Sequence, residues 1–109
     1  MVKWDKVFFP PAGEKHSPIN ILNSITQANV KVLITRRLDL ISELEIWDWP
    51  YWVKPVGDLY QVTANDYRIY VGLVDRKMIV CHICRKVKKK ALKSDLLRAN
   101  NNFIDYKRV

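Results

Sequence analysis

Between positions 59 and 83 three apolar runs alternate with two turn-forming clusters. The runs 59–63, 67–74 and 77–83 are rich in β-branched, aromatic and aliphatic residues, and each predicts a strand. Ala64, Asn65 and Asp66 part the first two, and Asp75 with Arg76 parts the second two. Asn and Asp bond readily to their own backbone, so both connections predict short turns and the segment an antiparallel meander. With an unbroken pleat, Tyr67, Ile69 and Val71 lie on one face, and Arg68 and Tyr70 on the other. On the last run Ile79, Cys81 and Ile83 share a face opposite Val80, His82 and Cys84. The more apolar sets are expected to face the core, which leaves Arg68 and His82 looking outward from the same side of the sheet.

Upstream, the pattern changes period. Residues 2–9 predict a strand, with Val7 and Phe9 alternating with polar neighbours until Pro10-Pro11 ends it. Residues 13–16 read as a loop. Ser17-Pro18 is a helix start, because a Ser oxygen can cap free amides and Pro at the first helical position sacrifices no bond. That helix turns Ile21, Leu22 and Ile25 inward and breaks over 26–29. A longer one follows over 30–46, with Leu33, Ile34, Leu38, Ile41 and Leu44 at helical spacing and Lys31, Arg36, Arg37 and Glu43 on its other sides. It is expected to cover one face of the meander.

Residues 45–55 follow no period and crowd Trp47, Trp49, Tyr51 and Trp52 around Pro50. An aromatic loop that pins a helix to the sheet is the expectation; stacking of RNA bases is the alternative. Past the meander, Ser94-Asp95 leads into a terminal helix carrying Leu96, Leu97, Ala99, Phe103 and Ile104. Asn100, Asn101 and Asn102 weaken it, so a short helix is expected. The fold class is therefore α/β (α+β): an N-terminal strand, two helices packed on a mainly antiparallel sheet with a C-terminal meander, and a short C-terminal helix. At 109 residues the chain can build one core, so 1–109 is expected to be a single domain.

Charge alters this picture more than composition does. Residues 1–58 hold seven Lys or Arg against seven Asp or Glu, so the whole net charge of +8 falls in residues 59–109. Arg85, Lys86, Lys88, Lys89, Lys90 and Lys93 put six cations in nine positions with no acid among them. Such asymmetry points to a polyanionic partner, with nucleic acid the commonest, and a merely solvated surface stands beside it as an equal alternative. No apolar run is long enough to span a bilayer and no signal-peptide pattern opens the chain, so a cytoplasmic protein is expected. Cys81 and Cys84 form a C-x-x-C at the end of a strand rather than at a helix start, where a thiol would be activated. Residues three apart on a strand point to opposite faces, and the only other histidine is His16, so buried or half-buried thiols are expected rather than a redox or metal pair.

Taken together, meander and basic cluster resemble the RelE/HigB superfamily of bacterial toxins, in particular its phage-derived HigB-like branch. Gly57-Asp58-Leu59-Tyr60-Gln61-Val62 looks like the branch's G-D-G-L-[YW]-E-L-R element, and Tyr67-Arg68-Ile69-Tyr70 like its Y-R-[IV] strand. His82-Ile83-Cys84-Arg85-Lys86 is similar to H-x-F-x-K-K, while Lys90 and Lys93-Ser94-Asp95 match the Lys-rich turn and the start of the last helix. Thr63 stands where the family usually has Arg, and Cys84 and Val87 replace Phe and Lys.

The resemblance implies a RelE-like toxin that cleaves messenger RNA on the ribosome and is held inactive by a cognate antitoxin, of helix-turn-helix type. It implies no metal and no small-molecule cofactor, because the 2′-hydroxyl beside the scissile phosphate is the nucleophile. Such a reaction wants a base, an acid and fixed positive charge around the phosphorane. His82 is the expected acid or base, since imidazole titrates near neutrality. Arg68 is expected to grip the phosphate through its planar fork, with Arg85, Lys86 and Lys90 adding charge or sharing proton transfer. Tyr70 is expected to meet a base, and Lys88, Lys89 and Lys93 to hold RNA phosphates. Each has a plainer reading as packing or solvated charge. A non-catalytic basic module, or a relative directed at DNA gyrase, is the alternative on the same fold.

Overall fold

The structure, a computed structural model, describes residues 2–87 and 89–108. Its elements run β1 (Asp5–Phe8), α1 (Pro18–Ser24), α2 (Ala28–Ser42), β2 (Val53–Val56), β3 (Leu59–Ala64), β4 (Tyr67–Val74), β5 (Lys77–Arg85) and α3 (Lys93–Arg108). The strands form one sheet in the order β1-β5-β4-β3-β2, in which β1 runs parallel to β5 and every other pair is antiparallel. The α/β (α+β) expectation of two helices on a mainly antiparallel sheet is thus what the chain forms. Asn65 and Asp75 take positive φ in the two turns of the meander, the backbone state that short polar turn residues tolerate best, and Arg76 follows Asp75 into the same region.

Both faces of this sheet are covered. On one, Leu22, Ile25, Val30, Ile34, Leu38 and Ile41 of α1, α2 and the residues that join and follow them meet Val62, Ile69, Val71, Met78, Val80 and Ile83. On the other, α3 lays Ala99 and Phe103 over Leu59, Tyr70, Ile79 and Cys81. The approach is close at Gly72, where a Cβ would stand 2.5 Å from a ring carbon of Phe103. Only glycine fits there without moving the Phe103 ring.

Four expectations are corrected. The last helix is not short: it spans Lys93–Arg108, sixteen residues, because Ala99, Asn102 and Phe103 pack it on the sheet and Asn102 Nδ2 donates to the Cys81 carbonyl at 2.9 Å. Tertiary packing outweighs the low propensity of the Asn run. Residues 45–55 hold a strand, β2, after a single 3₁₀ turn over Ile46–Asp48. The second helix begins at Ala28 and ends at Ser42 rather than at 46, and the first strand is confined to Asp5–Phe8.

The fourth correction concerns the pleat. Tyr70 pairs with His82 but Val71 pairs with Val80, so Cys81 is an extra residue and β5 bulges there. A bulge moves everything beyond it by one residue relative to strict alternation. Ile79 and Cys81 therefore join the α3 face while Ile83 joins the α2 face, instead of all three sharing one. Cys81 and Cys84 likewise come to the same face, against the expectation for residues three apart.

Candidate functional site

The α3 face carries the polar chemistry in rows across the strands. Lys54 pairs with Gln61, Gln61 with Tyr70 and Tyr70 with His82, so these four cross β2, β3, β4 and β5 in one line. Thr63, Arg68 and Cys84 form the next row. Arg68 and His82 do share a side of the sheet, as the pattern predicts. They do not look outward, because α3 and the turn before it lie over them: Arg68 is 6% exposed and His82 7%.

Each is held by the segment that covers it. Arg68 Nη2 donates to the Lys89 carbonyl at 2.5 Å, which ties the basic turn to β4. His82 Nε2 lies 2.9 Å from Asp95 Oδ1. Asp95 belongs to the first turn of α3, where a carboxylate also suits the positive end of the helix dipole. Tyr70 is fully buried, its ring stacked on His82 with centroids 6.4 Å apart and its hydroxyl donating to Gln61 Oε1 at 3.2 Å. Burial pushes its phenol up to about 12. Tyr70 is thus a brace between Gln61 and His82, not a surface for a base.

Beside these rows lies a cleft whose floor holds Arg68, Gln61 and Thr63 and whose walls hold Lys54, Lys86, Lys89, Tyr51 and Trp52. It continues over Arg68 into a shallower hollow edged by Asp66 and Val87. Of the expected site residues, Arg68, Lys86 and Lys89 meet here. His82 sits in the adjoining row but does not line the cleft. Arg85 lines a separate hollow with Ile25, Val30 and Tyr67, on the α2 face. Lys90 and Lys93 are exposed, in the turn and at the first position of α3, and are not among the residues lining the cleft. Lys88 lies outside the described residues.

The aromatic segment divides in two. Trp49 Nε1 donates to the Ile41 carbonyl at 2.9 Å and its ring meets Tyr60 edge-on, so it fastens the end of α2 to β3. Trp52 lies under the Arg37 guanidinium, 4.7 Å from the ring centre, and Arg37 also bonds the Thr63 carbonyl. Tyr51, by contrast, is 95% exposed at the cleft wall.

Sequence reasoning missed Lys54, Gln61 and Asp95 as site residues. Lys54 and Gln61 become visible only once β2 is known to pair with β3. Asp95 had a local signal, an acid in the first turn of a helix, but nothing local says that this turn returns to His82. The same neighbourhood holds Cys84, whose thiol burial and the Asp95 carboxylate push up to about 12. Burial alone raises Cys81 equally. Both thiols remain protonated near neutrality and are poor nucleophiles, and with Cys81 buried and Cys84 half-buried their placement is the one expected.

Chemically, the cleft offers one guanidinium and three ammonium groups to an anion, with hydrogen-bonding Gln61 and Thr63 below and an open aromatic ring at the side. This suits a phosphodiester flanked by a base. The neighbouring imidazole is oriented by a carboxylate. No family model matches the chain, and no curated protein matches it. No helix among the described residues is long and apolar enough to cross a membrane.

Proposed function

We propose that the protein is the toxin of a type II toxin–antitoxin pair, a cytoplasmic, ribosome-dependent endoribonuclease that cuts messenger RNA through the RNA's own 2′-hydroxyl. The observation that carries this reading is Arg68, which lies at once on the floor of the basic cleft and on the same sheet face as His82. The ordered motifs shared with the RelE/HigB toxins support it from the sequence side.

In this reading the phosphate enters the cleft against Arg68, Lys86 and Lys89, whose charge is fixed before the reaction and so stabilises the phosphorane without reorganisation. The His82 imidazole moves the proton, and the Asp95 carboxylate sets its orientation through the bond to Nε2. Arg85 has no part, since it faces the opposite hollow. Tyr51 offers its exposed ring to a base. The expected partners are a helix-turn-helix antitoxin and the ribosome.

A second reading has its own observation. His82 is covered by α3 and engaged with Asp95, away from the cleft lining. That favours a binding module which holds RNA or a protein without cutting, and it becomes the better account if cleavage is absent.

Expression of the chain alone should arrest growth and cut translated messages, leaving 2′,3′-cyclic phosphate and 5′-hydroxyl ends. His82→Ala should lower cleavage by ~10²–10⁴-fold, the usual worth of a positioned acid or base. Arg68→Ala should also abolish it, and Arg68→Lys should retain the fold while losing the bidentate grip. Intact messages in arrested cells would transfer the reading to binding or to gyrase.

A further inference from the structure

We infer that His82, Cys84 and Asp95 form a zinc-binding site on the α3 face, and that zinc there withdraws the His82 imidazole from proton transfer. The second half of this rests on the endoribonuclease reading; the first does not.

His82 and Cys84 stand two residues apart beyond the bulge, so their side chains leave β5 on the same face. Asp95 comes down on them from the first turn of α3. One nitrogen, one sulfur and one oxygen atom from these residues lie within 4.8 Å of one another, with 2.9 Å between His82 Nε2 and Asp95 Oδ1. Ligands of a tetrahedral zinc stand about 3.3–3.7 Å apart, given bonds of about 2.0–2.3 Å. The observed separations bracket that spacing, so small side-chain rotations suffice. His82 Nδ1 is buried and, among the described residues, has no hydrogen-bond partner, so no bond at that atom opposes such a rotation.

Donor chemistry selects the ion. A mixed imidazole, thiolate and carboxylate set suits zinc, whereas magnesium and calcium prefer all-oxygen cages. On binding, the Cys84 S–H bond breaks, its proton passes to solvent and a Zn–S bond forms with no change of oxidation state. The thiolate and the Asp95 carboxylate then offset the two charges of the cation, which keeps the cluster near neutral beside Arg68, the cross-strand partner of Cys84. The His82 and Asp95 side chains are 9% and 23% exposed, so the donors are sheltered while one side remains open for entry. A fourth position is left for solvent.

The test uses the full chain, stripped with a chelator and titrated with Co²⁺ as a spectroscopic stand-in. One equivalent should produce an intense near-ultraviolet thiolate-to-cobalt band that Zn²⁺ displaces. Cys84→Ser should lose that band, Cys81→Ala should keep it, and Asp95→Asn should weaken binding by about tenfold or more. Circular dichroism of each variant separates lost ligation from lost fold, and Cys84→Ala serves if the serine variant does not fold. Absence of the band in the parent chain, or its survival in a folded Cys84 variant, overturns the site. In the cleavage assay zinc should inhibit the parent chain and spare Cys84→Ser. Cleavage indifferent to bound zinc overturns the second half, while a cobalt band without any cleavage leaves the site standing and removes the nuclease reading.

Discussion

The two faces of the sheet meet their helices through different chemistry. Under α1 and α2 the contact is aliphatic, with Ile34, Leu38, Ile41, Val62, Ile69, Val71 and Val80 all fully buried. Under α3 the apolar patch is smaller and stops at a band of Arg68, Tyr70, Gln61, His82 and Asn102, all buried and polar or partly polar. Buried polar groups cost stability unless bonded, and here Tyr70 bonds Gln61, Arg68 the Lys89 carbonyl, His82 Asp95 and Asn102 the Cys81 carbonyl. One face therefore holds the larger apolar core and is expected to contribute most of the stability. The other spends some of its packing area on placing a guanidinium, an imidazole and a thiol.

If that division is right, truncations on the two faces should separate. The largest effect is expected for Leu38→Ala, which leaves a cavity in the aliphatic layer and should cost about 2–5 kcal/mol of global stability. Urea unfolding followed by circular dichroism would read it. Hydrogen exchange should speed up across all the strands together, since this layer contributes to the whole. A loss confined to α2, with the sheet unaffected, would contradict the assignment of global stability to this face.

Gly72→Ala attacks the other face at its tightest point. The new methyl would sit 2.5 Å from Phe103 Cε1, and overpacking of this kind costs about 1–3 kcal/mol. Because the clash is with a single ring, the cost should largely vanish in a Phe103→Ala background, a coupling that a double-mutant cycle measures directly. Exchange should rise first in α3, and the α2 layer should be spared. Equal protection loss on both faces would mean that the layers are one cooperative unit.

The same contrast explains what could be read from the chain beforehand. On the α2 face local pattern and fold agree: Ile34, Leu38 and Ile41 recur at helical spacing, and the meander turns at Asn65 and Asp75 lie where their residue types put them. On the α3 face they part. The bulge at Cys81 has no signature in its sequence, since Val80, Cys81 and Ile83 fit an unbroken strand equally well. It is nonetheless what aligns His82 with Tyr70. Asn100, Asn101 and Asn102 argue locally against a helix, and the packing of Ala99 and Phe103 on the sheet with the bond from Asn102 to the Cys81 carbonyl shows why one forms there. Val53–Val56 contains Lys54 and Pro55, which argue against a strand until its edge position is known. Arg68, His82, Lys86 and Lys89 were legible as residue types because charge and imidazole are visible in any context. Which of them face one cleft is a long-range fact, and it set Arg68, Lys86 and Lys89 apart from His82 and Arg85.

The smallest effect on stability is expected from Lys89→Ala. The side chain is exposed and its role in the fold is through the backbone: the carbonyl that receives Arg68, which alanine keeps. Unfolding should shift by no more than about 0.5 kcal/mol, as for other surface changes. If the ammonium group meets a phosphate in the cleft, however, affinity for a single-stranded RNA should fall, and the slope of log affinity against log salt should shrink by about 0.7, the share of one phosphate contact on a single strand. Arg85→Ala, on the opposite face, should leave that slope unchanged. Fluorescence titrations at several salt concentrations distinguish these cases. A slope altered by both variants alike would mean that RNA follows the general basicity of the surface, and the α3 face would then hold no privileged cleft.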